Sequence, residues 1–386
     1  MVENKVFFKQ LPPLSLYIHI PWCVKKCPYC DFNSHKLGSS LPETQYINSL
    51  AADLEQALPL VWGRTINTIF IGGGTPSLFS GDSIDKIVST VRKYLRLSPY
   101  AEITIEANPG VVDNEHIKDY KIAGVNRVSL GIQSFNNNHL QSIGRIHDSE
   151  KAIEAVEIVK KHFLNFNLDL MYGLPKQSIE EALKDVEVAI SYNPTHISCY
   201  NLTLEPNTVF YNQIPAGLPN NDICYEMQDV IINKLKEFNY LRYEISAFAR
   251  DGKYCLHNFN YWQFGDYLGI GAGAHSKLSF YDKILRQIRQ KQPQQYMNSV
   301  IGNKHIIEDK VVSINELPFE FALNSLRLIN GFEIQSFVYN TGLPLNIILP
   351  KLNEAVTRGF IEFKGNKVKP TKLGQDFQNE LLMLFL

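Results

Sequence analysis

Six short apolar runs, at residues 15–20, 67–71, 102–106, 127–132, 167–171 and 196–200, alternate with stretches that carry the period of an amphipathic helix. A chain patterned in this way buries the runs as parallel strands and packs the intervening helices outside them. Helix start signals fall where the pattern needs them. Pro42-Glu43 precedes Tyr46, Leu50 and Leu54, and Ser178 with Glu180 and Glu181 precedes Leu183, Val186 and Ile190. The pattern therefore predicts an α/β fold of six β-then-α units, wound as a partial barrel or laid out as a doubly wound sheet, and does not separate the two. Both place ligands at the carboxyl ends of the strands.

Beyond about residue 210 the rhythm breaks. Residues 222–239 read as a further helix, 240–250 as a strand, and the stretch holding Gly265, Gly269, Gly271 and Gly273 as loop. From about residue 305 the chain reads as small, helical and charged, and 318–386, with a hairpin-like 360–368, as a winged-helix-like appendage. The expected division is a barrel over 1–240, an extension over 241–305 and a C-terminal helical or winged-helix-like domain over 306–386.

The loop after the first run carries the most specific chemistry. Cys23, Cys27 and Cys30 are spaced C-x3-C-x2-C, and three of the chain's 6 cysteines thus fall within eight positions. In a reducing compartment such a group points to metal rather than to disulfides. Iron–sulfur clusters take four ligands, so three thiolates on one loop leave one iron for an exchangeable ligand. Structural zinc is the alternative and would need His19 or His35 as its fourth ligand. Cys199, Cys224 and Cys255 are scattered and read as small packed hydrophobes.

Other strand ends add polar or glycine-rich groups. Residues 72–77 read Gly-Gly-Gly-Thr-Pro-Ser, where backbone amides at Gly73, Gly74 and Thr75 can approach a ligand that a Cβ would hold off. Glu106, Gln133, Arg145 and Asp169 follow at successive strand ends and suit one shared pocket. His257 lies in His257-Asn258-Phe259-Asn260-Tyr261-Trp262. By chemistry alone it reads as a hydrogen-bonded packing residue among aromatics, with heme-iron ligation as the alternative.

Lys and Arg number 38 against 39 Asp and Glu, which gives no electrostatic reason to expect a nucleic-acid partner. No apolar run approaches the ~20 residues that span a bilayer. The stretch Met1-Val2-Glu3-Asn4-Lys5 lacks the pattern of a secretory signal, so a cytoplasmic protein is expected, with any membrane contact peripheral.

Together the cysteine loop, residues 72–77, 105–109 and 169–175 and the His257–Trp262 motif resemble the oxygen-independent coproporphyrinogen III oxidase-like radical S-adenosylmethionine (SAM) proteins over nearly the whole chain. The resemblance implies a partial (β/α)6 barrel, TIM-like, with a C-terminal domain. It implies a [4Fe–4S] cluster on Cys23, Cys27 and Cys30, and SAM near Tyr17, Tyr29, Gly73, Gly74, Thr75, Glu106, Gln133, Arg145 and Asp169. The H-N-x-x-Y-W pattern resembles the heme-chaperone branch of that family, which makes His257 a heme-ligand candidate and respiratory membrane proteins the heme acceptors. A homodimer is left open. The other branch, the coproporphyrinogen dehydrogenases, carries a further cysteine two residues after the third; here that position is Phe32.

Overall fold

Parity along the strands decides the architecture. On β1 (Leu14–Ile20) the side chains of Leu14, Leu16, Ile18 and Ile20 enter the main hydrophobic core, while Ser15, Tyr17 and His19 turn to the other face. The same alternation holds on β2 (Thr65–Gly73), β3 (Arg96–Ala107), β4 (Arg127–Gln133), β5 (Phe166–Tyr172) and β6 (His196–Asn201). One face is therefore apolar and covered by helices, and the other forms a polar lumen.

The structure is a computed structural model that describes residues 5–386; residues 1–4, part of the N-terminal stretch read above, lie outside the described residues. Its helices of ten or more residues are α1 (Glu43–Val61), α2 (Gly81–Tyr94), α3 (Asn114–Ala123), α4 (Ser149–His162), α5 (Ile179–Ser191) and α6 (Asn221–Glu237). Each of α2 to α5 opens on an Asp or Ser whose side chain accepts a first-turn amide, and at α5 Ser178 and Glu181 form a reciprocal capping box.

Strands β1 to β6 lie side by side in chain order and all pair in parallel. A doubly wound sheet reverses its order at a switch point; this one winds in a single direction, as a partial barrel does. After β6 come β7 (Leu241–Arg242) and β8 (Ala247–Ala249), two short antiparallel strands on the far edge where one longer strand is expected from sequence.

The glycine-bearing stretch is not loop alone. It contains β9 (Asp266–Ile270), which pairs in parallel with β1, followed by β10 (His275–Phe280), β11 (Lys283–Arg289) and β12 (Ile306–Val311). The sheet order is thus β12-β11-β10-β9-β1-β2-β3-β4-β5-β6-β8-β7. The glycines misled because they serve close approach: a Cβ on Gly269 would meet the His275 carbonyl oxygen at 2.1 Å. Beyond β12, helices Leu317–Ser325, Gln335–Thr341 and Leu349–Thr357 pack with a three-stranded antiparallel sheet whose hairpin is Ile361–Lys364 and Lys367–Pro370. They share a second core around Phe321, Phe337, Leu352 and Phe385, to which Val6 and Phe8 also contribute. Among the described residues no helix is long and apolar enough to cross a membrane.

Candidate functional site

The cysteine loop leaves β1 at the carboxyl end of the barrel and is zipped to the glycine loop of β2. Gly74 N–H donates to the Ile20 carbonyl at 2.7 Å and Thr75 N–H to the Trp22 carbonyl at 2.7 Å. These approaches exclude side chains: a Cβ on Gly74 would lie 2.5 Å from the Trp22 oxygen, and one on Gly73, whose φ is +116°, 2.5 Å from the His19 ring.

Cys23, Cys27 and Cys30 are all free and half-buried. Burial raises the thiol pKa of Cys23 and Cys30, and the neighbouring thiols raise them further. Donors already face the sulfurs. The Thr75 and Ser34 hydroxyls reach Cys23, the Phe32 amide and Ser34 reach Cys30, and Arg145 Nη1 stands 3.8 Å from Cys27 Sγ. Such donors stabilise thiolate, the ligating form. A guanidinium on one sulfur and hydroxyls on the others fit the three-thiolate side of a cluster. Among the described residues no three His, Cys, Asp or Glu side chains are gathered as ligands of a single metal ion. His19, which a zinc site would recruit, has both nitrogens engaged: Nε2–H donates to the Asn33 carbonyl at 2.8 Å, and Nδ1 accepts from the Tyr17 hydroxyl at 2.9 Å.

The other candidates converge from successive strands. Arg145 Nη2 donates to the Gly131 carbonyl at 2.6 Å, and Tyr29 shares hydrogen bonds with Arg145 and Cys27 while its own ionisation is pushed up by burial. Gln133 ends β4 with a left-handed φ of 69°, which holds its amide beside Gly131 and Arg145. Glu106 accepts the Gly73 N–H at 3.0 Å. Asp169 accepts from Ser129 and Asn167, each at 2.8 Å. The lumen thus holds three carboxyls, Glu102, Glu106 and Asp169, around one guanidinium, Arg127, and burial raises the pKa of all three acids. A ligand carrying positive charge is favoured there.

Glu106 yields a testable pH dependence. Burial, then the nearby Asp169, push its carboxyl up to about 7, against the Gly73 amide. A folded value above the unfolded 4.5 means that its contribution to stability is fully present below 4.5 and is lost as pH rises through 7. The unliganded protein is expected to melt lower at about pH 8 than at about pH 5.5, and Glu106→Gln to flatten that slope in parallel melting curves.

His257 lies deeper, on α7 (Leu256–Trp262), which crosses the lumen under Tyr17 with ring centroids 6.4 Å apart. Thr68 gives its proton to Ser15 at 2.8 Å, so His257 Nδ1–H donates to Thr68 at 2.8 Å and Nε2 accepts from the Tyr261 hydroxyl at 2.8 Å. Burial lowers its pKa to about 3, so the ring is neutral. Iron would reach Nε2 only after the Tyr261 hydroxyl gave way.

Several residues that matter here escape the sequence reading. Asn33 donates through Nδ2 to the carbonyls of Ala272 and Lys291 at 2.9 and 2.8 Å, and so clamps the end of the cysteine loop to the strands beyond β9. Glu102 and Arg127 share the parity of Glu106 and Ser129 on their strands, a signal that would have found them. Asn33 offers no such signal, because its partners lie 239 and 258 residues away.

A model described as the radical SAM superfamily matches residues 17–189, and one described as the HemN C-terminal domain matches 312–377. The heme chaperone HemW of Escherichia coli is 45% identical over 379 residues, covering 98% of this chain and 99% of that one. HemW of Bacillus subtilis is 33% identical over 380 residues, covering 96% and 99%. Among solved structures, the E. coli coproporphyrinogen III oxidase HemN, a radical SAM enzyme, superposes with a TM-score of 0.81 at 22% identity, over 100% of this chain and 95% of that one. At that identity the likeness shows the fold, a radical SAM barrel. The near-complete match in sequence goes further, and the chain belongs to the HemW heme-chaperone family of the radical SAM superfamily.

Proposed function

We propose that this protein is a heme chaperone that carries a [4Fe–4S] cluster on Cys23, Cys27 and Cys30, binds SAM in the lumen mouth, and passes heme to respiratory membrane proteins. The observation that carries the reading is the cysteine loop at the mouth of a carboxylate-rich lumen, in a chain 45% identical to a named heme chaperone. When bound, the cluster supplies an electron that can reduce SAM.

The protein's own residues bind and orient. Backbone at Gly73, Gly74 and Thr75, with the Glu106 carboxyl behind them, receives the methionine end of SAM. Asp169 and Gln133 face the nucleoside from β5 and β4, and Tyr17 and Tyr29 close the sides of the pocket against water. Arg145 holds charge beside Cys27. The barrel, the 241–305 extension and the C-terminal domain divide these tasks as cluster site, heme contact and partner contact.

The competing activity is oxidative decarboxylation of coproporphyrinogen III. Phe32 stands where the dehydrogenases place their further cysteine, which favours the chaperone. Anaerobically reconstituted protein is expected to bind heme in a spectrophotometric titration and to leave coproporphyrinogen III unchanged under reduction with SAM. Sustained propionate decarboxylation would establish the dehydrogenase instead.

A further inference from the structure

A cysteine sulfur that ligates iron has given up its proton, so a hydroxyl hydrogen-bonded to it must be the donor. Ser34 is placed for that role. Its Oγ lies 4.0 Å from Cys30 Sγ, where in the free thiol either atom can donate, and it reaches Cys23 as well. Among the described residues these two sulfurs are the hydrogen-bond partners of its side chain. A serine in a turn ordinarily bonds to nearby backbone. Ser34 instead turns its hydroxyl to two of the three ligand sulfurs and favours their ionised form against the burial that raises both thiols.

The backbone fixes this position. After Cys30 the chain doubles back beside the first cysteine: Ser34 N–H donates to the Phe32 carbonyl at 2.7 Å, His35 N–H to the Pro21 carbonyl at 2.7 Å and Leu37 N–H to the Cys23 carbonyl at 2.8 Å. Trp22–Cys23 and His35–Lys36 thereby pair as two short parallel strands, with Cys23 opposite Lys36. Asn33, the neighbour of Ser34, is fastened to the carbonyls of Ala272 and Lys291. Ser34 is only 6% exposed, so water competes little for its proton.

Hydrogen bonds to the sulfurs are one of the levers that set the potential of an iron–sulfur cluster. Reduction adds negative charge that spreads onto the sulfurs, and a donor on them stabilises the reduced state more than the oxidised one. Thr75 and Arg145 also face sulfurs, but both belong to the pocket assigned to SAM, so a change at either mixes two effects. Ser34 lies outside that set, and its action on the sulfurs is separable.

We propose that Ser34 is a positioning residue of the cluster site whose hydroxyl, shared between Cys23 and Cys30, raises the reduction potential of the cluster. A cluster tuned in this way accepts an electron more easily and gives it up less readily. The proposal rests on the cluster reading and is separable from it by experiment.

Full-length wild type, Ser34→Ala and Ser34→Thr, reconstituted anaerobically without SAM, are titrated with dithionite in the presence of redox mediators and read by EPR of the reduced cluster. In Ser34→Ala the one-electron equilibrium is expected to move about tenfold toward the oxidised form, a fall of about 59 mV, at unchanged iron content. Ser34→Thr restores the hydroxyl and is expected to return close to the wild-type potential, a rescue that packing alone would not give. Pulsed EPR in H2O against D2O is expected to show an exchangeable proton coupled to the wild-type cluster and absent from Ser34→Ala. A wild-type potential in Ser34→Ala, or an equal fall in both variants, overturns the proposal. Loss of the cluster from Ser34→Ala overturns it too, since Ser34 would then hold the loop together rather than tune it. Failure of wild type to hold a cluster overturns the cluster reading itself.

Discussion

Replacing any one of Cys23, Cys27 or Cys30 by alanine is expected to bring the iron content after anaerobic reconstitution from about four per chain to near zero. The loss should be close to complete in each single variant, because a cluster held by three thiolates of one loop has no spare protein ligand to recruit. His19 is held by Tyr17 and the Asn33 carbonyl, and the remaining cysteines are distributed elsewhere: Cys199 on β6, Cys255 beside Glu102 and Cys224 on α6. Iron and sulfide analysis, with EPR of the reduced protein, gives the readout. Substantial iron retained in all three variants would remove the cluster from this loop. Circular dichroism should change little, since all three sulfurs lie on a half-exposed loop outside the hydrophobic cores.

The second large effect concerns stability. Asp53 on α1 is fully buried and collects the strands beyond β9. Its Oδ1 accepts from Arg289 Nη2 at 3.3 Å and His305 Nε2 at 3.0 Å, and its Oδ2 from the Tyr296 hydroxyl at 2.8 Å and the Gly271 amide at 3.1 Å. Asp53→Ala leaves Arg289, itself fully buried, without a counter-charge, and is expected to cost about 3–5 kcal/mol in urea unfolding. Asp53→Asn keeps the shape and loses the charge, and should recover only part.

The pH dependence follows from the same contacts. Arg289 and His305, against burial, hold the Asp53 carboxyl below its usual range. Its contribution is therefore present above the unfolded value of 3.8 and lost as pH falls through the lower folded value. The gap between wild type and Asp53→Ala should close in acid. A gap that persists unchanged to strongly acidic pH would show that shape, not charge, carries the effect.

The six parallel strands were legible because each holds a short apolar run set between stretches of helical period. Ser15, Tyr17 and His19 against Leu16, Ile18 and Ile20 is a pattern that only a two-faced strand satisfies. The α5 start was legible from Ser178 and Glu181, and the structure realises both halves of that box. Strand β9 was hidden because Gly269, required by the close approach of His275 and Ala274, and the glycines that flank the strand also signal loops. Strand β12 was hidden because a sheet-edge strand with nearly every residue exposed has no apolar alternation to display. The winding of the sheet, barrel rather than doubly wound, lies in which strands are neighbours, and local pattern carries nothing of that.

The site divides along the same line. The cysteines and the glycine loop announce themselves by close spacing, and Glu106 and Asp169 by their places at the ends of apolar runs. Whether His257 offers a lone pair depends on Tyr261 and Thr68 in three dimensions. A motif fixes the residue type, while its neighbours fix the role.

The pairing of β1 with β9 has a consequence for biogenesis. Strand β1 and the thiol loop emerge from the ribosome early, yet the strand that flanks them and the carbonyls of Ala272 and Lys291 that fasten Asn33 are made only after most of the chain. Contacts so distant along the chain are slow to form, because the loop between them must first be closed. Iron delivered to the nascent chain would meet an unfastened hairpin of thiols, so loading is expected to follow release from the ribosome.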